Sequence, residues 1–452
     1  MADPDLIRSR TVGRVAAALC VGIGTVAVLL GLVYAPPILS RLFLLPDGFS
    51  RQASGGLWTV TLVSVATGIV LIRFRRSRWA WNLAATCFGL GVVLLACEAV
   101  LRAYIDEPSY RRADAELHHT FLPDAYGSEV WGRRIVNYRT NNLAFRDSTR
   151  RNVEPSVAAF RIVLVGDSFV EGIGVDYSNT VAGTLGEELK ASSSIDPSTD
   201  FEILNAGVSG YSPKLELRRL EKFFNAGYTT DLVLLFVDTS DLRNEGIDYA
   251  EWERYSDAEV AAIRRSGWAK HFLIPRLLQF VRSRLSALAS ENEANAGLAV
   301  IPPRHRAAAL RDSTLYSEGF HGWKKEGLES VEMYVRKIAD LVAEHDAGFA
   351  LVIYPHPQQV TPAEVNHMGS YRFEMNAMAD EMGYPLLDLF PVFNADSAVA
   401  GRFIPGDIHW SESGHALVSE SVVRFLAAEH LVPVSAGVLL PSIGNATAGN
   451  LD

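Results

Sequence analysis

"RIVLVGDSFVEGIGV", residues 161–175, decides the fold. A short, continuous apolar run ended by glycine reads as a strand buried on both faces. Gly166 closes it, and Ser168 follows two positions later. A hydroxyl just past the end of such a strand lies where open α/β sheets bind their ligands. Serine is also favoured as a helix N-cap, so Ser168 alone decides nothing about chemistry.

The same alternation continues outward. Strand-like runs occur at 160–166, 201–207, 231–238, 349–355 and 384–390. Between and after them lie helical patterns at 180–192, 213–227, 327–348, 373–383 and 413–430. Pro213 opens the second of these and Gly227 closes it, the usual asymmetry of helix ends. Strands separated by helices predict a doubly wound parallel sheet with helices on both faces. A long polar insertion at about 245–320 interrupts the pattern and includes the amphipathic "HFLIPRLLQFVRSRLSAL",.

A serine hydroxyl is a poor nucleophile until a base takes its proton. Asp407 and His409 stand two residues apart in "IPGDIHWSESGH", in a loop ahead of the last helix. At that spacing the carboxylate can hold one ring nitrogen and leave the other for Ser168. The negative charge formed on attack needs donors. The backbone N–H groups of Ser168 and Gly207 are candidates, with Ser240 or Asn244 after the third strand.

These blocks resemble the SGNH (GDSL-like) hydrolase superfamily in its membrane-attached bacterial form. "GDSF" at 166–169 resembles its first block, "NAGVSGYS" its glycine block and "GDIHWSESGH" its last; "NYRTNNLAFRD" at 137–147 resembles a segment ahead of the first block. The resemblance covers about 135–430. It implies a flavodoxin-like three-layer fold, a catalytic set of Ser168, His409 and Asp407, no metal and no cofactor. It further implies ester hydrolysis or acyl transfer, often of acetyl groups on envelope polysaccharides. The third block departs from the family pattern, with Ser240 of "DTSD" where an asparagine is expected.

The N-terminal hundred residues have a different composition. Three apolar runs, at about 12–35, 56–72 and 79–101, approach the ~20 residues that span a bilayer,. A cleaved signal peptide is the competing reading of the first; two further runs and the lack of an A-x-A site oppose it. Arg8, Arg10 and Arg14 flank the first run, and Arg73, Arg75, Arg76 and Arg78 fill the loop between the second and third. Positive loops stay inside. The expectation is a bacterial inner-membrane protein with a cytoplasmic N-terminus and a periplasmic catalytic domain. Residues 1–104 then form the membrane region, 105–434 the SGNH hydrolase-like domain and 435–452 a disordered tail. "GIG" at 22–24 and "GLG" at 89–91 read as helix-packing positions. Cys20, Cys87 and Cys97 all fall in the apolar runs, so the rest of the chain has no disulfide framework,.

The partners follow. An acylated carbohydrate is the expected substrate and the lipid bilayer the support. A separate membrane protein would bring the acyl donor if the enzyme is a transferase. The net charge of -10 opposes nucleic-acid binding,. A non-catalytic glycan-binding protein using the same cleft is the alternative function. Among other residues, Asp167 reads as a hydrogen-bonding residue of the turn and His415 as structural. His356, after the fourth strand, reads as a surface-loop residue, with a place in the pocket lining as the alternative, and His118 and His119 as a solvated pair. His305, His367 and Glu171 show no metal spacing. "NAT" at 445 is a chance glycosylation match.

Overall fold

The computed structural model describes residues 4–33, 58, 62, 65–104, 110–131, 134–266, 320–360, 369–405 and 407–435. Its strands are β1 (Arg111–Asp114), β2 (His118–Phe121), β3 (Tyr126–Trp131), β4 (Arg134–Thr140), β5 (Arg146–Asp147), β6 (Phe160–Val165), β7 (Phe201–Asn205), β8 (Leu232–Val237), β9 (Gly348–Ile353) and β10 (Leu386–Asp388). Its helices are α1 (Pro4–Val33), α2 (Arg78–Tyr104), α3 (Ser168–Glu171), α4 (Val181–Ala191), α5 (Pro213–Asn225), α6 (Thr239–Arg243), α7 (Asp257–Ser266), α8 (Trp323–Glu344), α9 (Gly369–Met382), α10 (Phe390–Ala395) and α11 (Glu412–Ala428). The chain divides into two compact units. One runs to Asp106 and takes in a segment beginning at Ser256; the other holds Glu107–Tyr255 and the described residues from Phe320 on.

In the larger unit, β6, β7, β8, β9 and β10 pair in parallel in the order β7-β6-β8-β9-β10. Counted along the chain this is 2-1-3-4-5, the flavodoxin-like order, with its reversal between β6 and β8. Each central strand is buried on both faces. Ile162 and Leu164 pack with α4 and α11 residues such as Leu185 and Val422 on one side. Val163 and Val165 pack with Leu220, Val335 and Met375 of α5, α8 and α9 on the other. Successive side chains of a strand point to opposite faces, so one apolar run serves two cores.

The purely parallel sheet is corrected. Among the described residues the sheet has eight strands, and β5, β4 and β3 extend it antiparallel beyond β7. The signal is a period of two: Val136, Tyr138 and Thr140 are buried, while Asn137 and Arg139 are exposed, as on a strand with one solvated face. The hairpin of β1 and β2 forms a separate two-stranded sheet.

In the smaller unit, α1 and α2 occupy most of the first and third apolar runs. Among the described residues, no helix is long and apolar enough to cross a membrane. Gly24 and Gly68 bring two backbones together: a Cβ on Gly24 would lie 2.8 Å from the Gly68 carbonyl oxygen. Gly22, Gly89 and Gly91 have no neighbour within 4 Å of such a Cβ, so packing explains only Gly24 among the "GIG" and "GLG" glycines. Residues 267–319 of the insertion, 436–452 of the tail, His305, His367 and Asn445 lie outside the described residues.

Candidate active site

Ser168 is the first residue of α3, directly beyond β6. Asp167 caps that helix, accepting the Phe169 N–H at 2.8 Å. As the first helical residue, Ser168 has an N–H with no intrahelical acceptor. Two glycines let the chain turn here. Gly172 ends α3 in the left-handed region at φ 79. Gly207 meets α3 so closely that a Cβ would fall 2.5 Å from the Glu171 nitrogen.

The loop before α11 brings His409 to this turn. His409 Nε2 lies 2.8 Å from Ser168 Oγ, and Nδ1 lies 2.6 Å from Asp407 Oδ1. The Ile404 N–H donates to the His409 carbonyl at 2.8 Å, and the Asp407 N–H to the Ile404 carbonyl at 2.9 Å. Trp410, fully buried, packs its ring against Phe169, Tyr354 and His415. His409 is thus held by the loop's own backbone hydrogen bonds and an aromatic wedge rather than by the sheet. Ser168 and His409 are only 7% and 6% exposed.

The remaining predicted residues stand differently. The Gly207 N–H donates to Asn205 Oδ1 at 3.0 Å. Ser240 gives both its N–H and its hydroxyl to Asp238 Oδ1, so the hydroxyl is directed back at the cap of α6. Asn244 Nδ2 makes a long contact of 3.5 Å with the Tyr211 carbonyl. His415 is buried in α11 and accepts the Val181 N–H at 3.3 Å. Burial, with Arg146 and His409 nearby, pushes it down to about 3, so it is a neutral structural residue.

His356 is corrected from a surface loop to a buried partner of Asp238, with Nε2 2.6 Å from Oδ2. His118 and His119 are corrected from a solvated pair. Their Nδ1 atoms lie 2.8 Å apart and His119 Nε2 lies 2.7 Å from the Ser209 carbonyl. Tyr249, Trp252 and Tyr255 surround His118, and burial pushes it down to about 4. Glu171 is buried; it accepts the Ser209 N–H at 2.7 Å and pairs with Arg111.

A buried acidic layer underlies Ser168. Tyr354 donates its hydroxyl to Asp167 Oδ1 at 2.9 Å, and Ser168 Oγ lies 3.1 Å from Asp167 Oδ2. Burial and the neighbouring Asp238 push Asp167 up to about 6. Burial opposes charge on Asp238 as well, but His356 and the Ser240 donors outweigh it and hold that carboxyl low. Asp241, whose Oδ2 accepts the Asp238 N–H, and Glu216 are raised well above the carboxyl range by burial first, then by Asp238 for Asp241 and by Asp167 for Glu216.

Arg146 explains "NNLAFRD". Its guanidinium is buried and donates at 2.6 Å to the carbonyls of Glu171, Gly172 and Val175, all in or just after the nucleophile turn. The strand-end rule that points to Ser168 also marks Asp238 and Tyr354, which directly follow β8 and β9. Arg146 and Trp410 lie inside the blocks "NYRTNNLAFRD" and "GDIHWSESGH", but their residue types alone do not reveal these contacts.

No protein-family model and no curated protein matches this chain. Solved structures similar to it are lipolytic and esterase proteins at low identity. TesA is 14% identical, with 60% of this chain and 99% of that one aligned at a TM-score of 0.35. Axe2, an acetylxylan esterase from Geobacillus stearothermophilus, is 13% identical over 61% of this chain and 96% of its own, at 0.34. A putative lipolytic protein of the G-D-S-L family from Desulfitobacterium hafniense DCB-2 is 14% identical over 59% and 99%, at 0.34. The chemistry of this chain rests on its own geometry.

Proposed function

We propose that the chain is a membrane-anchored, serine-dependent acyl ester hydrolase or O-acyltransferase, acting on O-acyl, foremost O-acetyl, groups of a cell-envelope polysaccharide or glycan. The observation that carries the reading is the continuous contact Ser168 Oγ to His409 Nε2 at 2.8 Å and His409 Nδ1 to Asp407 Oδ1 at 2.6 Å. Ser168 Oγ attacks the acyl carbon and passes its proton to His409 Nε2. Asp407 holds Nδ1–H and stabilises the imidazolium. The Ser168 N–H faces the oxyanion, joined by the Gly207 N–H when it leaves Asn205. The sugar oxygen departs with the proton from His409, leaving an acyl-serine. Water, or an acceptor hydroxyl, then takes the acyl group with His409 again as base.

The substrate class comes from the resemblance of "GDSF", "NAGVSGYS" and "GDIHWSESGH" to the SGNH hydrolases. The anchoring comes from the three apolar runs, and the cytoplasmic N-terminus and periplasmic domain from their flanking arginines. A transferase would draw its acyl group from a separate membrane protein.

A fluorophosphonate probe tests the catalytic reading: it should label the full-length chain at Ser168 and leave Ser168→Ala unlabelled. Release of acetate from acetyl esters, measured with and without an acceptor sugar, then separates hydrolase from transferase. The second reading, a non-catalytic glycan-binding protein, is favoured by one observation: the Gly207 N–H and the Ser240 hydroxyl are both engaged internally. Absence of labelling decides for it.

A further inference from the structure

Ser168 Oγ has one proton and two neighbours placed to receive it: His409 Nε2 at 2.8 Å and Asp167 Oδ2 at 3.1 Å. With Asp407 ionised and holding the Nδ1–H of His409, two proton arrangements satisfy both contacts. In one, Asp167 is ionised and accepts from Ser168, while a protonated His409 donates to Oγ. In the other, Asp167 carries the proton and donates to Oγ, while Ser168 donates to a neutral His409. The two carry the same total charge and differ only in where one proton sits. Only the second has a base ready for Ser168.

The surroundings of Asp167 are not neutral between these states. Asp238 directly follows β8, the strand next to β6, and its charge opposes ionisation of Asp167. His356 Nε2 at 2.6 Å and the two Ser240 donors hold Asp238 as an anion. An anion beside a carboxyl favours its protonated form. Tyr354, from the end of β9, acts oppositely, since its hydroxyl donates to Asp167 Oδ1. Asp241 of α6 and Glu216 of α5 belong to the same buried acidic layer, and both are pushed well above the carboxyl range. On the other side, His409 faces Asp407, with Arg146 and His415 beyond. The Phe169 ring lies between the two histidines, 5.3 Å from His356 and 5.1 Å from His409, and keeps the two His–Asp pairs apart.

We propose that Asp167 and His409 hold one proton between them across Ser168, and that the Asp238–His356 pair biases it onto Asp167, leaving His409 free to act as the base. This rests on Ser168 being the nucleophile of the proposed acyl chemistry. Asp167 touches the reacting oxygen. It keeps its proton during attack and offers Oγ a hydrogen bond again when the acyl-serine is broken and Oγ must leave. Asp238 and His356 are positioning residues that act through Asp167.

The test is the pH dependence of fluorophosphonate labelling of Ser168 in the full-length chain. Asp238→Asn keeps the acceptor for Ser240 but removes the anion. The shared proton then moves to His409, and the acid limb of the labelling rate shifts to higher pH, by about one unit. Asp167→Asn offers Oγ a permanent donor and removes the carboxylate that favours protonated His409, so the limb moves to lower pH. Tyr354→Phe deletes one hydroxyl, leaves Asp167 less willing to ionise, and moves the limb the same way as Asp167→Asn. At their plateaus Asp238→Asn and Tyr354→Phe label within about tenfold of the wild type, because the general base, worth about 10²–10⁴-fold, remains. A merely structural role gives no such opposed shifts. An unmoved limb in Asp238→Asn, or in Tyr354→Phe where the former does not fold, overturns the inference, as do shifts of equal sign. A wild type that is not labelled at any pH overturns the proposed function instead, and this inference with it.

Discussion

Ser240 gives its backbone N–H and its hydroxyl to the same oxygen of Asp238, each at 2.6 Å. The hydroxyl is therefore part of the cap of α6 and is not aimed at an oxyanion. Ser240→Ala should lower kcat on an acetyl ester by less than about threefold, against the 10²–10³-fold loss typical of a true oxyanion donor. A loss of that larger size would show that Ser240 turns outward when substrate binds. Ser240→Asn, with a longer reach, should raise kcat.

In the proposed mechanism Ser168 and His409, 2.8 Å apart, act as one unit. Ser168→Ala and His409→Ala should each reduce acyl-ester turnover by about 10³-fold or more, and the double variant should be hardly worse than either. Asp407→Asn should lose as much or less, since it misorients the ring. Wild-type turnover in Ser168→Ala on the true substrate would defeat the enzymatic reading.

Arg146 joins β5 to the nucleophile turn through three carbonyls. Arg146→Lys keeps the charge, but one ammonium cannot match a planar fork that spans Glu171 to Val175. The variant should lose about 3 kcal/mol of stability, read by denaturant unfolding. It should also lose turnover, because the Ser168 turn loosens. An unchanged unfolding midpoint would remove Arg146 from this role.

Glu216 is buried, and among the described residues neither carboxyl oxygen has a hydrogen-bond partner. Burial, then Asp167, Glu245 and Asp238, raise it well above the carboxyl range. A carboxyl raised in the folded state binds its proton more tightly there than in the unfolded chain. Its contribution to stability is complete below the unfolded carboxyl value, about 4.3, and is lost as pH rises toward the folded value. Glu216→Met removes that loss, so the variant's Tm should gain on the wild type steadily from acid to neutral pH. A pH-independent difference would mean that Glu216 does not titrate in this way.

The proposed orientation has its own test. A reporter active only outside the cytoplasm should be active when fused after residue 110 and silent in the Arg73–Arg78 loop. The reverse pattern would invert the topology.

The sequence by itself determined the parallel core. Runs such as Ile162–Val165 and Leu232–Val237 are apolar without alternation, and only strands covered on both faces suit them. It also brought Ser168, Asp407 and His409 into one hypothesis, because strand ends share an edge of the sheet and a two-residue spacing suits a His–carboxylate pair. The antiparallel extension was legible in the alternation of Val136 and Tyr138, a quieter signal than the motif beside it. What only the tertiary structure decided were contacts between groups distant in the chain. Asp238 meets His356 across 118 positions and Asp167 meets Tyr354 across 187. Arg146 finds carbonyls that no side-chain pattern marks. Whether a buried carboxyl keeps its proton, and whether the Ser240 hydroxyl faces a substrate or its own helix cap, depends on desolvation and on distances of a few tenths of an ångström. Those are set by how the layers pack, and residue types along a chain do not encode them locally.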